Sequence, residues 1–131
     1  MRHLEDITIK SIPHRLQAYD TSGNYGRRGK ETWFEVAHLP DWRYEALVAV
    51  DELVEYFLCK DRGIKIKDID KFDIKTVFEI DPKNQNDPGR SKHAPYHKEH
   101  MFATRIEKLL CKEFGIDWEN YDKSFDNLKY E

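Results

Sequence analysis

Residues 42–59 read WRYEALVAVDELVEYFLC, and this stretch constrains the fold more than any other. Leu47, Val50, Val54 and Leu58 recur at helical spacing, and Ala46, Val48, Leu53, Tyr56 and Phe57 widen the apolar surface almost all the way round. Pro40 precedes it, Asp41 is placed to cap it, and Gly63 lies just beyond its end. A helix apolar on nearly every side belongs at the centre of a domain. Its covering must come from the rest of the chain or from a second copy, which makes a homodimer one of the expected partnerships. With 131 residues the chain has the length of a single domain, 1–131. Three Trp, seven Tyr and seven Phe supply core material despite a charged fraction of 36%.

The other segments sort around this helix. Between residues 7 and 37, Leu16 and Ala18 alternate with Arg15, Gln17 and Tyr19, and Phe34 and Val36 alternate with Trp33 and Glu35, which predicts a β-hairpin. Residues 20–30 hold three glycines without apolar periodicity and predict an exposed, basic connecting loop. A second helix is predicted over 69–80, capped by Asp68, with Phe72, Val77 and Phe78 as its apolar contacts. Residues 81–94 contain two prolines, a glycine and two asparagines and predict a loop. A third helix is predicted from Pro95 to Phe114, stopped by Gly115, with Met101, Phe102, Ile106, Leu109 and Leu110 on its apolar face. The tail offers a cap at Asp117 for a short turn and then becomes polar enough to fray. The expected fold is α+β: an N-terminal β-hairpin (about 7–37) packed on a bundle of three main α-helices (about 41–115), with a short C-terminal tail.

Charge narrows the function. The 22 Lys and Arg against 25 Asp and Glu give a net charge of -3, so no overall field draws the molecule to nucleic acid or to an anionic membrane. No apolar run approaches the roughly 20 residues of a membrane span. The opening MRHLEDITIK puts charges where a signal peptide needs apolar residues, so a cytoplasmic location is expected. Cys59 and Cys111 form no C-x-x-C pair and read as reduced, packed thiols. Neither a Walker loop nor a G-x-G-x-x-G is present, which argues against the standard NTPase and dinucleotide architectures.

The chemistry lies in the acids that interrupt the apolar helix. Asp51 and Glu55 stand one turn apart on one face, and Glu52 lies beside them. Ionised carboxylates in an apolar setting cost several kcal/mol each unless protons, basic partners or a cation compensate. Asp70 and Asp73 form a second pair that a packed helix could bring to the first, and hard oxygen ligands suit magnesium or manganese. The competing reading turns these strips to water, where Asp70 and Asp73 would answer the helix dipole. On the third helix His97, His100, Thr104 and Glu107 make one stripe, with His100 as ligand or acid and Glu107 as ligand or orienting partner. Arg27, Arg28 and Lys30 in the first loop, with Arg90 and Lys92 in the second, are candidates to hold phosphate oxygens.

Two resemblances follow from these residues. Glu52-x-x-Glu55 and Asp70-x-x-Asp73 resemble the metal-binding pattern of the MazG-like all-helical nucleotide pyrophosphohydrolases, which hold magnesium for water attack on a nucleoside triphosphate. That likeness spans residues 47–79 and departs from the family at Asp70, where the pattern has Glu. Over the whole chain, D-W-R-Y-E at Asp41, D-E-L-V-E at Asp51, Phe72-Asp73 and A-P-Y-H-K-E-H at Ala94 are similar to small uncharacterised phage and prophage proteins. There a histidine is expected where Asp51 stands, and the resemblance implies a host-cell cytoplasmic setting. Two acidic flanks on that helix argue against the zincin peptidase site, which needs two imidazoles.

The expected function is a magnesium- or manganese-dependent hydrolase of a phosphorylated small molecule, most plausibly a nucleotide. Asp51, Glu52, Glu55, Asp73 and His100 would be ligands, and His100 and Glu107 would handle protons. The alternative is a non-enzymatic phage protein that binds a host protein or sequesters a signalling nucleotide, with Trp42, Tyr96 and the loops as contact surface.

Overall fold

The computed structural model describes residues 3–130, and the fold is α+β. Strand β1 (Asp6–Ile12) is followed by a 3₁₀ turn (His14–Leu16), then β2 (Gly23–Arg28) and β3 (Glu31–Ala37). The strands form one sheet in the order β1-β3-β2, with β1 parallel and β2 antiparallel to β3. A hairpin is present, with β2 and β3 as its arms and Gly29 taking the turn at a φ of 63°. The alternation around Leu16 is not a strand, and Leu16 itself faces solvent.

The expected loop over 20–30 therefore contains a strand, most of it buried. Gly26 is there for close packing, since a Cβ at that position would lie 2.3 Å from the Trp33 ring. The structure needs a flat backbone at this point, and that requirement reads in the sequence as a turn.

Helix α1 (Trp42–Asp61) begins where Asp41 accepts a hydrogen bond from the Arg43 amide at 2.9 Å. It buries Leu47, Val48, Tyr56 and Cys59, together with Asp51 and Glu55. The second helix comes in three pieces: α2 (Ile66–Lys71), a π-helical turn (Phe72–Thr76) and α3 (Val77–Ile80). Asp68 falls in the first turn of α2 and does not cap it. Two 3₁₀ turns, Pro82–Asn84 and Pro88–Arg90, interrupt the predicted loop. Helix α4 (His97–Glu113) then packs along α1, and Gly115 follows it with a φ of 70°.

The tail is ordered by burial. Helix α5 (Trp118–Ser124) is capped by Asp117, and Tyr121 is wholly buried among Tyr44, Trp118 and Phe125. Removing a side chain of that size from water stabilises by roughly 2 kcal/mol, enough to hold an otherwise polar segment down. Further on, the Tyr130 hydroxyl donates to the Gln17 carbonyl at 2.8 Å.

One hydrophobic cluster joins Tyr25, Phe34, Tyr56, Phe72, Val77 and Tyr96, and another joins Val36, Leu47, Val48, Cys111 and Tyr121. Both apolar cysteines are unpaired and buried. Among the described residues, no helix is long and apolar enough to cross a membrane.

Candidate functional site: a carboxylate-lined cavity

A cavity of about 860 Å³ is walled by α1, the π-helical turn, α4, α5, the segment around Tyr19 and the loop before α4. Asp51, Glu52, Glu55, Asp73, His100 and Glu107 all line it. The six residues singled out as ligands or proton carriers thus meet in one place, from three separate elements. Among the described residues, none of these five acids forms an ion pair with lysine or arginine.

Helical geometry puts Asp51 and Glu55 on the same buried face of α1. Glu55 Oε2 accepts from the Tyr25 hydroxyl at 2.9 Å, and Glu55 Oε1 lies 2.9 Å from His100 Nδ1. The other imidazole nitrogen, Nε2, is 2.9 Å from Asp87 Oδ1, close enough for ion pairing but without hydrogen-bond alignment. Burial opposes a charge on His100, but the carboxylates of Asp87 and Glu55 outweigh it and hold the imidazolium well above its ordinary range. Gly89 packs flat on this ring, where a Cβ would approach within 2.3 Å.

Asp51 is 8% exposed, and its Oδ1 is buried without any hydrogen-bond partner. Burial, reinforced by Glu107 and Glu55, pushes its carboxyl well above the usual range, and burial with Glu55 and Asp51 nearby does the same for Glu52. Glu107 accepts a hydrogen bond from the buried Tyr121 hydroxyl, yet burial lifts its carboxyl to about 7. Glu52 sits against the sheet at Gly23, where a Cβ would come within 2.9 Å of its Cγ and Oε1.

Asp73 is held apart from the others. Its Oδ2 accepts from Tyr19 at 2.9 Å and its Oδ1 from Tyr96 at 2.5 Å, so both oxygens are occupied. Burial raises it to about 7 against the pull of those two hydroxyls. The expected partner Asp70 lies outside the cavity lining, on α2, ahead of the π-helical turn that carries Asp73. On α4, His100, Thr104 and Glu107 line the cavity, while His97 turns away and bonds the Gly89 carbonyl at 2.9 Å.

The expected phosphate contacts do not assemble. Arg90 lines the cavity, but Arg27, Arg28, Lys30 and Lys92 do not. Strand β2 meets the cavity at Gly23 and Asn24, and at about 3.3 Å per residue Arg27 and Arg28 have already run some 10 Å or more beyond. Arg27 instead lies 3.5 Å from Glu5, a carboxylate that also accepts from Lys60, Thr32 and Tyr56. Of the expected contact surface, Trp42 is exposed but Tyr96 is buried.

Several site residues carried no sequence signal. Lys123 and Asp87 line the cavity, and Tyr19, Tyr25, Tyr96 and Tyr121 each give a hydroxyl to one of its acids. Of these, only Tyr96 drew notice in the sequence, and then as contact surface, not as the partner of an acid.

Among the described residues, no three His, Cys, Asp or Glu side chains are already gathered around a single point that could hold a metal ion. The physical reason is visible in the partners: Glu55 and Asp73 have both oxygens engaged, and His100 is held against two carboxylates. The arrangement sets one imidazole, His100, between Glu55 and Asp87, while burial raises the carboxyls of Asp51, Glu52, Asp73 and Glu107. No family model matches this chain, and no curated protein or solved structure is similar enough to it to carry an argument.

Proposed function

We propose that the protein is a divalent-metal-dependent hydrolase of a phosphorylated small molecule, with a nucleotide as the favoured substrate. The observation that carries this reading is Asp51 Oδ1, a buried acceptor with no partner, among acids that form no ion pair with lysine or arginine among the described residues. A buried carboxylate cluster with a single imidazole among several acids stays folded by keeping protons on the rest, and a divalent cation is the ligand that replaces them. Asp51, Glu52, Glu55 and His100 are the residues that would hold it, with His100 released from its contact with Glu55. An imidazole in that set favours manganese over magnesium. Once bound, such a cation would polarise a phosphoryl oxygen and offset the carboxylate charge.

The chain's own residues supply the rest. Glu107, held near neutrality by burial, is suited to take the proton of an attacking water. Arg90 and Lys123, the two basic residues besides histidine in the cavity lining, are the contacts for the phosphoryl group. Asp73, with both oxygens taken by tyrosines, is left out of the ligand set.

Thermal unfolding with and without manganese, followed by turnover on a panel of nucleotides and sugar phosphates, tests this reading. Manganese is expected to raise Tm, more strongly at pH 8 than at pH 6 because protons must leave. Glu52→Gln and Glu55→Gln are expected to lose both that rise and turnover while keeping the far-UV spectrum. A melting temperature indifferent to magnesium, manganese and zinc refutes the proposal and favours a binding protein with Trp42 on its contact surface.

A further inference from the structure

Strand β1 lies at one edge of the sheet with β3 beside it, and among the described residues no other strand extends the sheet on its free side. Its register with β3 runs unbroken from Asp6 to Ile12, and Pro13 follows only after the strand has ended. A bulge and an internal proline, two devices that blunt a sheet edge, are therefore absent from this strand, and its outward amides and carbonyls form a template for another strand. Ile7 and Ile9 pair with the buried Thr32 and Phe34, which puts both isoleucines on the helix side of the sheet. Ile7 packs into the core, but Ile9 is 49% exposed. On the other face Asp6 stands beside Glu31, and Lys10 beside Glu35. Like charges side by side on neighbouring strands repel, and among the described residues neither Asp6 nor Lys10 forms an ion pair.

We propose that β1 is the interface with a second copy of this chain: the two β1 strands pair antiparallel about a two-fold axis through Thr8 and join the two sheets into one. Such an axis sets each residue opposite one on the same face, so the pairing can be centred on Ile7, Thr8 or Ile9. Centred on Ile7 it sets Asp6 against Thr8 and Lys10 against Leu4, and centred on Ile9 it sets Asp6 against Ile12 and Lys10 against Thr8. Only the register centred on Thr8 answers charge with charge. There each Asp6 meets the partner's Lys10 on one face, and each Ile9 meets the partner's Ile7 on the other. The acid crowded by Glu31 gains a cation, and the half-exposed isoleucine gains cover. Strand β1 contributes no residue to the acid-lined cavity, so pairing of the strands and turnover in the cavity are separate readouts.

Sedimentation velocity on the full chain, from about 1 µM to about 300 µM, is expected to show a concentration-dependent equilibrium of monomer and dimer, as suits a small interface. Lys10→Asp and Asp6→Lys each set like charges opposite one another on both sides of the axis. Each is expected to weaken the dimer by about 10-fold or more and, being at an exposed position, to leave the far-UV spectrum unchanged. An equimolar mixture of the two variants is expected to regain the dimer, because each then supplies the charge that the other lacks. Thr8→Cys is expected to form a disulfide between copies under mild oxidation and Lys10→Cys is not, since the axis passes through position 8; Cys59 and Cys111 are buried and stay out of the reaction. A wild-type chain that is monomeric throughout that range overturns the proposal. So does a dimer indifferent to both charge reversals, a mixture of the variants that stays monomeric, or cross-linking through Lys10→Cys and not through Thr8→Cys.

Discussion

Replacing Glu107 by glutamine is expected to make the metal-free protein more stable and to abolish the turnover proposed above. The sign follows from proton binding. Below pH 4.5 the carboxyl is protonated in both the folded and the unfolded chain, so the two states are affected equally. Between 4.5 and about 7 the unfolded chain ionises while burial keeps the folded one protonated, and folding weakens as the pH rises. At about 1.4 kcal/mol per pH unit, this single group costs about 3 kcal/mol by pH 8. Glutamine keeps the shape and an acceptor for the Tyr121 hydroxyl but never ionises. The variant should therefore match wild type at pH 4 and exceed it by about 3 kcal/mol at pH 8, or roughly 10 °C in Tm for a domain of this size. Urea unfolding at both pH values, in the presence of a chelator, measures it. A variant no more stable than wild type at pH 8, or one with the same advantage at both pH values, refutes the argument that Glu107 is a strained, proton-retaining acid. Gain of stability with loss of turnover is the pattern of a residue kept for chemistry.

Two further outcomes follow from the same packing. Gly89→Ala puts a methyl group into the His100 ring and is expected to cost about 1–3 kcal/mol and to weaken manganese binding, read by thermal unfolding with and without the ion. Cys59 is buried and its thiol is pushed up to about 12, so a disulfide reagent at pH 8 is expected to leave it unmodified in the native protein and to label it in urea; rapid native labelling would contradict the burial.

The long helices were legible because their signals are local: Asp41 before α1, Gly115 after α4, and apolar residues at helical spacing between. Strand β2 was not, because Gly23 and Gly26 serve long-range packing against Val48, Glu52 and Trp33, and a glycine chosen for closeness looks like one chosen for a turn. The π-helical turn left no pattern at all, and nothing in the spacing of Asp70 and Asp73 told which of the two lines the cavity. Asp51 and Glu55 were recognisable as an anomaly on an apolar helix, but only tertiary structure turns them inward together with Glu107 and His100. The tail looked polar because its burial rests on a few aromatics, Tyr121 above all. The basic residues misled for a related reason: Arg27 and Arg28 share a strand with the cavity edge but lie at its far end.

The contact between Gly23 and Glu52 ties two distant positions into one inheritable unit. Any side chain at 23 would press on Val48 at 2.7 Å and on Glu52 at 2.9 Å, so both would have to give way. Across descendants of this chain, a methyl group on the strand should therefore travel with change at both helix positions.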